Sequence, residues 1–414
     1  MGAAIMRQFL GVAIYIVKPK SEKHPPPYMQ LHVPRLPGLD AHRKGKGKAI
    51  RCNVYLPERL TKPNKAEGVS TLPCVINMHG SGFLFYNMGD DARFSQEMAD
   101  QVDCIVLDVD YSKAPEAPYP CAGQDLDAVM EWLKRGDYTQ GTSKASKESG
   151  TSLSETLAGL PGGKATIDAS RIALTGFSSG GNLALTACVR AYERGQLDNI
   201  KAVASFYPSC VTGRGDVSRV SLTLLSLFYN ARTNLSESPY KKPALKPEKG
   251  AAGGVLPPVA RQFLYSCYIP SHSARSSQHV SPLYADPAAF PENVMIVTCS
   301  GDSLEREGRQ MAEHIAYGRR RSDDKNDKKQ VLTDPPADVA DVPRTPIEHD
   351  VDFHGVLWWE ASGQGHAWDK LTDIGTKPDD LVEQSYYRAA QHIRKGFGIG
   401  VAEEDGQGTP KTVA

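Results

Sequence analysis

Short apolar runs bounded by turn residues alternate along the chain with stretches of helical periodicity. A strand buried on both faces reads as a continuous apolar run, whereas a helix laid over it repeats its apolar positions at i, i+3 and i+4. The alternation therefore predicts an α/β fold, with a mostly parallel central sheet covered by helices on both faces. Strands are expected over 51–56, 73–78, 104–109, 171–177, 201–207, 294–299 and 355–360. Helices are expected over 90–101, 123–134, 181–194, 305–317 and 382–394.

Three stretches depart from this rhythm. Residues 138–164 are rich in Ser, Gly, Thr and Lys, and 318–348 carry a charge run followed by four prolines. Both are expected to be flexible insertions, because they bury too little apolar surface to offset the entropy of ordering. Residues 213–278 mix apolar stretches with Pro and Gly and are expected to form a cap or lid. The expected organisation is an N-terminal cap segment (1–48), a catalytic domain (49–212 and 279–400) interrupted by that lid, and a disordered tail (401–414).

Composition adds exclusions. The chain has 414 residues, 40% of them hydrophobic and 23% charged, and 48 basic residues balance 48 acidic ones. A formal net charge of zero gives no electrostatic case for nucleic acid or an anionic membrane surface. The eight cysteines form no C-x-x-C pair and do not cluster with histidine, so no metal site is expected; they read as buried thiols. The apolar run Phe9 to Val17 is too short to span a bilayer and lacks a small-residue cleavage site, which leaves a cytosolic location as the default.

The chemistry concentrates in two blocks. The first is an apolar strand running into Gly176-Phe-Ser178-Ser179-Gly180 and then into a helix. A serine nucleophile needs this context: a tight strand-to-helix turn, with small residues at Gly176 and Gly180, lifts its hydroxyl above the sheet edge beside a helix N-terminus. Ser178 is central in the motif and Ser179 is its rival. The second block, His79-Gly80-Ser81-Gly82, follows an earlier strand. Backbone N–H groups of such a loop can point at the negative oxygen of an ester-hydrolysis transition state. His79 reads as a structural residue holding the loop.

These blocks resemble those of the hormone-sensitive-lipase-like esterases, the α/β-hydrolase fold-3 family. The family's H-G-G-G corresponds to His79-Gly80-Ser81-Gly82. Its D-Y-R-L-A-P-E corresponds to Asp110-Tyr-Ser-Lys-Ala-Pro-Glu116, with five of seven positions alike, and its G-D-S-A-G-G-N to Gly176–Asn182, again with five of seven alike. The resemblance implies an α/β-hydrolase fold and an oxyanion hole built from the backbone N–H groups of Ser81, Gly82 and Ser179. It also implies a turn-shaping role for Tyr111 and Glu116.

The triad acid should follow a later strand and the base should come last in the chain. Asp302 stands at the end of the strand expected over 294–299, in a stretch similar to the family's D-P-L-R-D-E-G. His366 lies on the Gly-flanked loop after the last strand; His354 is its rival but precedes that strand. The expected activity is hydrolysis of a small-molecule carboxylic ester, with a short to medium acyl group or an acetylated metabolite, through Ser178, His366 and Asp302 and without a cofactor. The alternatives are a non-catalytic small-ligand receptor on the same scaffold, a lipase and an amidase. Oligomeric state is not legible.

Overall fold

The computed structural model describes residues 25–37, 49–63, 68–136, 152–212, 253–254, 258–269, 271–323, 347–370 and 379–400. The expectations placed on 1–24, 38–48, 138–151, 213–252, 324–346 and 401–414 lie outside the described residues. Among the described residues nine strands form one sheet: β1 (Met29–Pro34), β2 (Ala49–Tyr55), β3 (Val69–Met78), β4 (Ile105–Val109), β5 (Lys164–Phe177), β6 (Ile200–Phe206), β7 (Asn293–Cys299), β8 (Asp352–Phe353) and β9 (Val356–Ala361). Their order is β1-β2-β4-β3-β5-β6-β7-β9-β8. The six strands from β4 to β9 are parallel, while β1, β2 and β8 run antiparallel at the flanks.

The described helices are α1 (Glu58–Thr61), α2 (Ala92–Val102), α3 (Cys121–Arg135), α4 (Leu153–Ala158), α5 (Ser179–Glu193), α6 (Pro258–Tyr268), α7 (Glu305–Asp323) and α8 (Asp379–Gly396). Side chains alternate across each strand, and the sheet accordingly has two cores. On one face Ile76, Met78, Val294 and Ile296 pack with residues of α3, α5 and α7. On the other, Val75, Met295 and Val297 pack with residues of α2 and α8. Burial on both faces explains why the central strands carry unbroken apolar runs.

The departures from expectation have local causes. Met29–Pro34, within the stretch read as a cap, instead pairs antiparallel with β2 as an edge strand. Within 138–164, Ser152 and Glu155 form a capping box that starts α4, which buries Leu153 and Leu157; this part of the insertion is therefore ordered. Helix α7 runs to Asp323, beyond the expected stop at 317.

The sheet positions the site through the turn from β5 into α5. Ser178 has φ 53° and ψ −115°, a backbone conformation that costs a non-glycine residue about 1–3 kcal/mol. The surrounding chain holds it there: the Ser178 N–H donates to the Phe206 carbonyl at 2.8 Å, and its carbonyl accepts from Asn182 N–H at 3.1 Å. The turn leaves no room for side chains at its flanks. A Cβ on Gly180 would lie 1.9 Å from the Met78 carbonyl oxygen, and one on Gly176 would lie 2.3 Å from the Gly180 oxygen. These neighbours are backbone atoms and cannot rotate away. Gly180→Ala is therefore expected to lower stability by about 3 kcal/mol or more, which a chemical-denaturation midpoint measures; an unchanged midpoint would mean the turn is not close-packed.

Candidate active site

Three side chains from three strand ends meet above the carboxyl edge of the sheet, where ligands bind in open α/β folds. Ser178 Oγ lies 2.9 Å from His366 Nε2, and His366 Nδ1 lies 2.6 Å from Asp302 Oδ2. Asp302 follows β7 and His366 follows β9. A carboxylate can only accept, so Nδ1 carries the imidazole proton and donates it to Asp302. In the neutral ring Nε2 then accepts from the Ser178 hydroxyl. Asp302 is fully buried and its Oδ1 also accepts the Leu304 N–H at 3.1 Å, which fixes the plane of the carboxylate. His354, the rival base, sits in the turn between β8 and β9, where its carbonyl accepts from Arg319.

The loop of His366 is tied down on two sides. Gly301 N–H donates to the Gln364 carbonyl at 2.9 Å and Gly363 N–H donates to Ser300 Oγ at 2.6 Å, joining the loops of Asp302 and His366. His366 also exchanges both backbone hydrogen bonds with Gly254, at 2.8 and 2.9 Å. Gly253 adopts φ +94°, and a Cβ there would come within 2.6 Å of the Gly365 oxygen. Gly253 and Gly254 therefore pack directly on the loop of His366.

The loop after β3 faces Ser178. His79 is buried, stacked on Tyr111 with ring centroids 4.9 Å apart, and its Nδ1–H donates to the Gly80 carbonyl at 3.2 Å. Asn87 Nδ2 donates to the same carbonyl at 3.0 Å. Ser81 has no positive φ, so the glycine of the family pattern is replaced there without backbone strain; the left-handed positions are Gly82 and Phe83. Glu116 lies in the turn 113–117, whose Ala114 N–H donates to the Phe83 carbonyl at 2.9 Å and so braces the loop.

The Ser81 amide differs from expectation. Its N–H donates to Ser179 Oγ at 2.9 Å. Ser81 Oγ lies 2.6 Å from the Tyr111 hydroxyl, which itself donates to the His79 carbonyl at 2.7 Å. Both Ser81 and Ser179 stand where the family pattern has Gly and Ala, and the two replacements are one another's partners. The resting loop thus engages one of its three expected oxyanion donors internally, and Gly82 N–H and Ser179 N–H are the other two.

A cavity of about 330 Å³ opens on Ser178 and His366. Phe83, Phe85, Leu304 and the α6 residues Leu264 and Tyr265 line its apolar side, and Asp90, Asp91 and Lys370 line its polar end. Helix α6 closes over the Gly-rich loop: a Cβ on Gly82 would come within 2.8 Å of Leu264, and Tyr268 stacks face to face on Phe83 at 3.9 Å. Arg261, buried on the same helix, donates to Ser303 Oγ beside Asp302. Tyr207, whose ring meets His366, and Asp369 and Lys370 behind it carry no motif that sequence reading can detect; Tyr207 simply follows an apolar strand.

Known proteins share this architecture. The profile of the alpha/beta hydrolase fold family matches residues 75–325. Esterase LipI of Mycobacterium tuberculosis is 29% identical over 162 residues, covering 39% of this chain and 41% of that protein. The 3-O-acetylpapaveroxine carboxylesterase CXE2 of Papaver somniferum is 34% identical over 164 residues, covering 38% of this chain and 48% of that protein. The matched stretch therefore spans less than half of either curated relative. Among solved structures, an esterase of Pyrobaculum calidifontis superposes with a TM-score of 0.56 at 18% identity, covering 97% of this chain and 94% of that one. An alpha/beta hydrolase from the metagenome of Lake Arreo, Spain, superposes with a TM-score of 0.58 at 18% identity, covering 95% of this chain and 90% of that one. Among the described residues no helix is long and apolar enough to cross a membrane. With the sheet order, the strand-to-helix turn at Ser178 and the profile match in agreement, this chain belongs to the α/β-hydrolase fold family, in its hormone-sensitive-lipase-like branch.

Proposed function

We propose that this protein is a serine hydrolase that cleaves small carboxylic esters, with Ser178 as nucleophile, His366 as general base and Asp302 as the group that orients it. The observation that carries this reading is the unbroken hydrogen-bond chain from Ser178 Oγ through the His366 ring to Asp302 Oδ2, at 2.9 and 2.6 Å. An isolated serine hydroxyl is a poor nucleophile, and a neutral imidazole acceptor at hydrogen-bond distance removes its proton as attack proceeds. Asp302 holds the ring in the tautomer with Nδ1 protonated and stabilises the imidazolium that forms. That imidazolium returns its proton to the leaving alcohol, and water then repeats the cycle on the acyl-enzyme.

Charge that develops on the carbonyl oxygen needs donors already in place. The amides of Gly82 and Ser179 fill this role, the latter at the N-terminus of α5, where the helix dipole favours negative charge. The Ser81 amide joins them when it exchanges Ser179 Oγ for the oxyanion. The cavity volume and its aromatic side suit a short to medium acyl group.

Two measurements test this reading. Hydrolysis of p-nitrophenyl esters of increasing acyl length is expected to peak at short to medium chains and to fall by about 10⁴-fold or more in Ser178→Ala. A folded native protein that turns over no ester in the series would sink it. Ser179→Ala removes the internal acceptor of the Ser81 amide, a neutral hydrogen bond of about 1 kcal/mol. It is expected to raise kcat about fivefold with KM nearly unchanged. A fall in kcat would mean instead that the Ser179 hydroxyl itself serves the reaction.

A further inference from the structure

The base is backed by a buried ion cluster for which the triad has no direct use. Lys370 Nζ lies 2.9 Å from Asp91 Oδ1, 3.0 Å from Asp369 Oδ2 and 3.1 Å from the Tyr386 hydroxyl, and it sits 3.7 Å from the centre of the Phe177 ring. Both Asp91 and Asp369 are buried. Burial alone favours the neutral amine, but the carboxylates of Asp369 and Asp91 outweigh it and hold Lys370 well above the ordinary lysine range. The cation is therefore fixed, and removing it leaves two buried carboxylates facing each other without a counter-charge.

The cluster touches the reacting groups through one residue. Tyr207 donates its hydroxyl to Asp369 Oδ1 at 2.5 Å, and its ring meets the His366 imidazole edge to face, with centroids 5.0 Å apart and planes at 65°. Tyr207 sits at φ +37°, in the left-handed region, directly after Phe206, whose carbonyl holds the Ser178 N–H. Strained non-glycine positions persist where the surroundings over-determine them, and they gather at functional sites. Tyr386 makes the matching bond to the other oxygen, Asp369 Oδ2, at 2.8 Å. Asp91 in turn accepts from Asn77 Nδ2 at 3.0 Å, which carries the cluster back to β3.

We propose that Tyr207, anchored by the Asp369–Lys370–Asp91 cluster, is a positioning residue that sets the plane of the His366 ring between Ser178 and Asp302. The inference rests on the triad reading above. Asp302 constrains Nδ1, and the backbone pair with Gly254 constrains the main chain of the base. Neither stops the ring from tilting about the line from Nδ1 to Asp302, and the phenol ring, 5.0 Å away at 65°, supplies that third restraint. Misplacement of a catalytic group by a fraction of an ångström to an ångström costs about tenfold to about a hundredfold in rate.

Tyr207→Phe and Tyr386→Phe each delete one buried O–H bond to Asp369, and Tyr386→Phe also removes an acceptor of Lys370 Nζ, yet only Tyr207 faces the imidazole. Tyr207→Phe and Lys370→Met are expected to lower kcat by about tenfold or more with KM within about twofold, while Tyr386→Phe stays near native kcat. A readout without substrate accompanies the kinetics: the downfield imidazole N–H proton resonance from the His366–Asp302 bond. It should persist in native protein and Tyr386→Phe, and broaden or move upfield in Tyr207→Phe and Lys370→Met. Equal kcat losses in the two tyrosine variants, or an unaltered resonance in both Tyr207→Phe and Lys370→Met, would overturn the proposal. Should Lys370→Met fail to fold, the tyrosine pair decides alone. Should native protein hydrolyse no ester, the proposed function fails while the resonance still decides whether the cluster positions the ring.

Discussion

Everything at this site depends on the turn at Ser178 being held in a conformation that serine does not choose for itself. With φ 53° and ψ −115°, the residue stores backbone strain that the packing of β5 between β3 and β6 offsets. The contact between Gly180 and the Met78 carbonyl closes the turn from one side, and the Phe206 carbonyl fixes its amide from the other. Because the serine cannot relax, its hydroxyl stands clear of the sheet at the helix N-terminus, and the loops after β7 and β9 need only bring one acceptor each to complete the hydrogen-bond chain. The strain and the chemistry are two consequences of a single close-packed junction.

The same logic extends outward. The Gly-rich loop after β3 is braced through Tyr111 and Asn87, and α6 packs on its outer side through Leu264 and Tyr268. The cavity is consequently walled partly by the sheet edge, which is rigid, and partly by a segment that also bonds the main chain of His366 at Gly254. Gly254 thus both lines the cavity and holds the main chain of His366. A change at Gly254 acts on the cavity wall and on the loop of His366 at once.

Much of this was legible in the sequence, for identifiable reasons. The central strands are buried on both faces, so their apolar runs at 73–78, 104–109, 171–177 and 294–299 stand out against any background. The turn at Ser178 is legible because its geometry tolerates only small flanks, and Asp302 and His366, proposed as acid and base, were picked out by chain order and strand ends. Strand β1 was not, since an edge strand of six residues alternates partly exposed positions and looks like loop. Helix α4 is short, and its capping box at Ser152 and Glu155 lay inside a polar stretch whose composition argued for disorder. The cluster of Asp91, Asp369 and Lys370 was invisible for a different reason. Charged residues on separate loops read as surface until the fold buries them together, and no local pattern records that meeting. The engagement of the Ser81 amide by Ser179 Oγ is likewise a contact across 98 positions of sequence.

The most direct test of the central claim is to treat the native protein with a fluorophosphonate and locate the adduct by peptide mass spectrometry. Such a reagent phosphonylates a serine hydroxyl only when a neighbouring base activates it in place. A single adduct per chain on Ser178, absent after His366→Ala, is the expected result. An adduct on Ser179, or none on a folded chain, would contradict the assignment of Ser178 as the hydroxyl that the strained turn presents to the base.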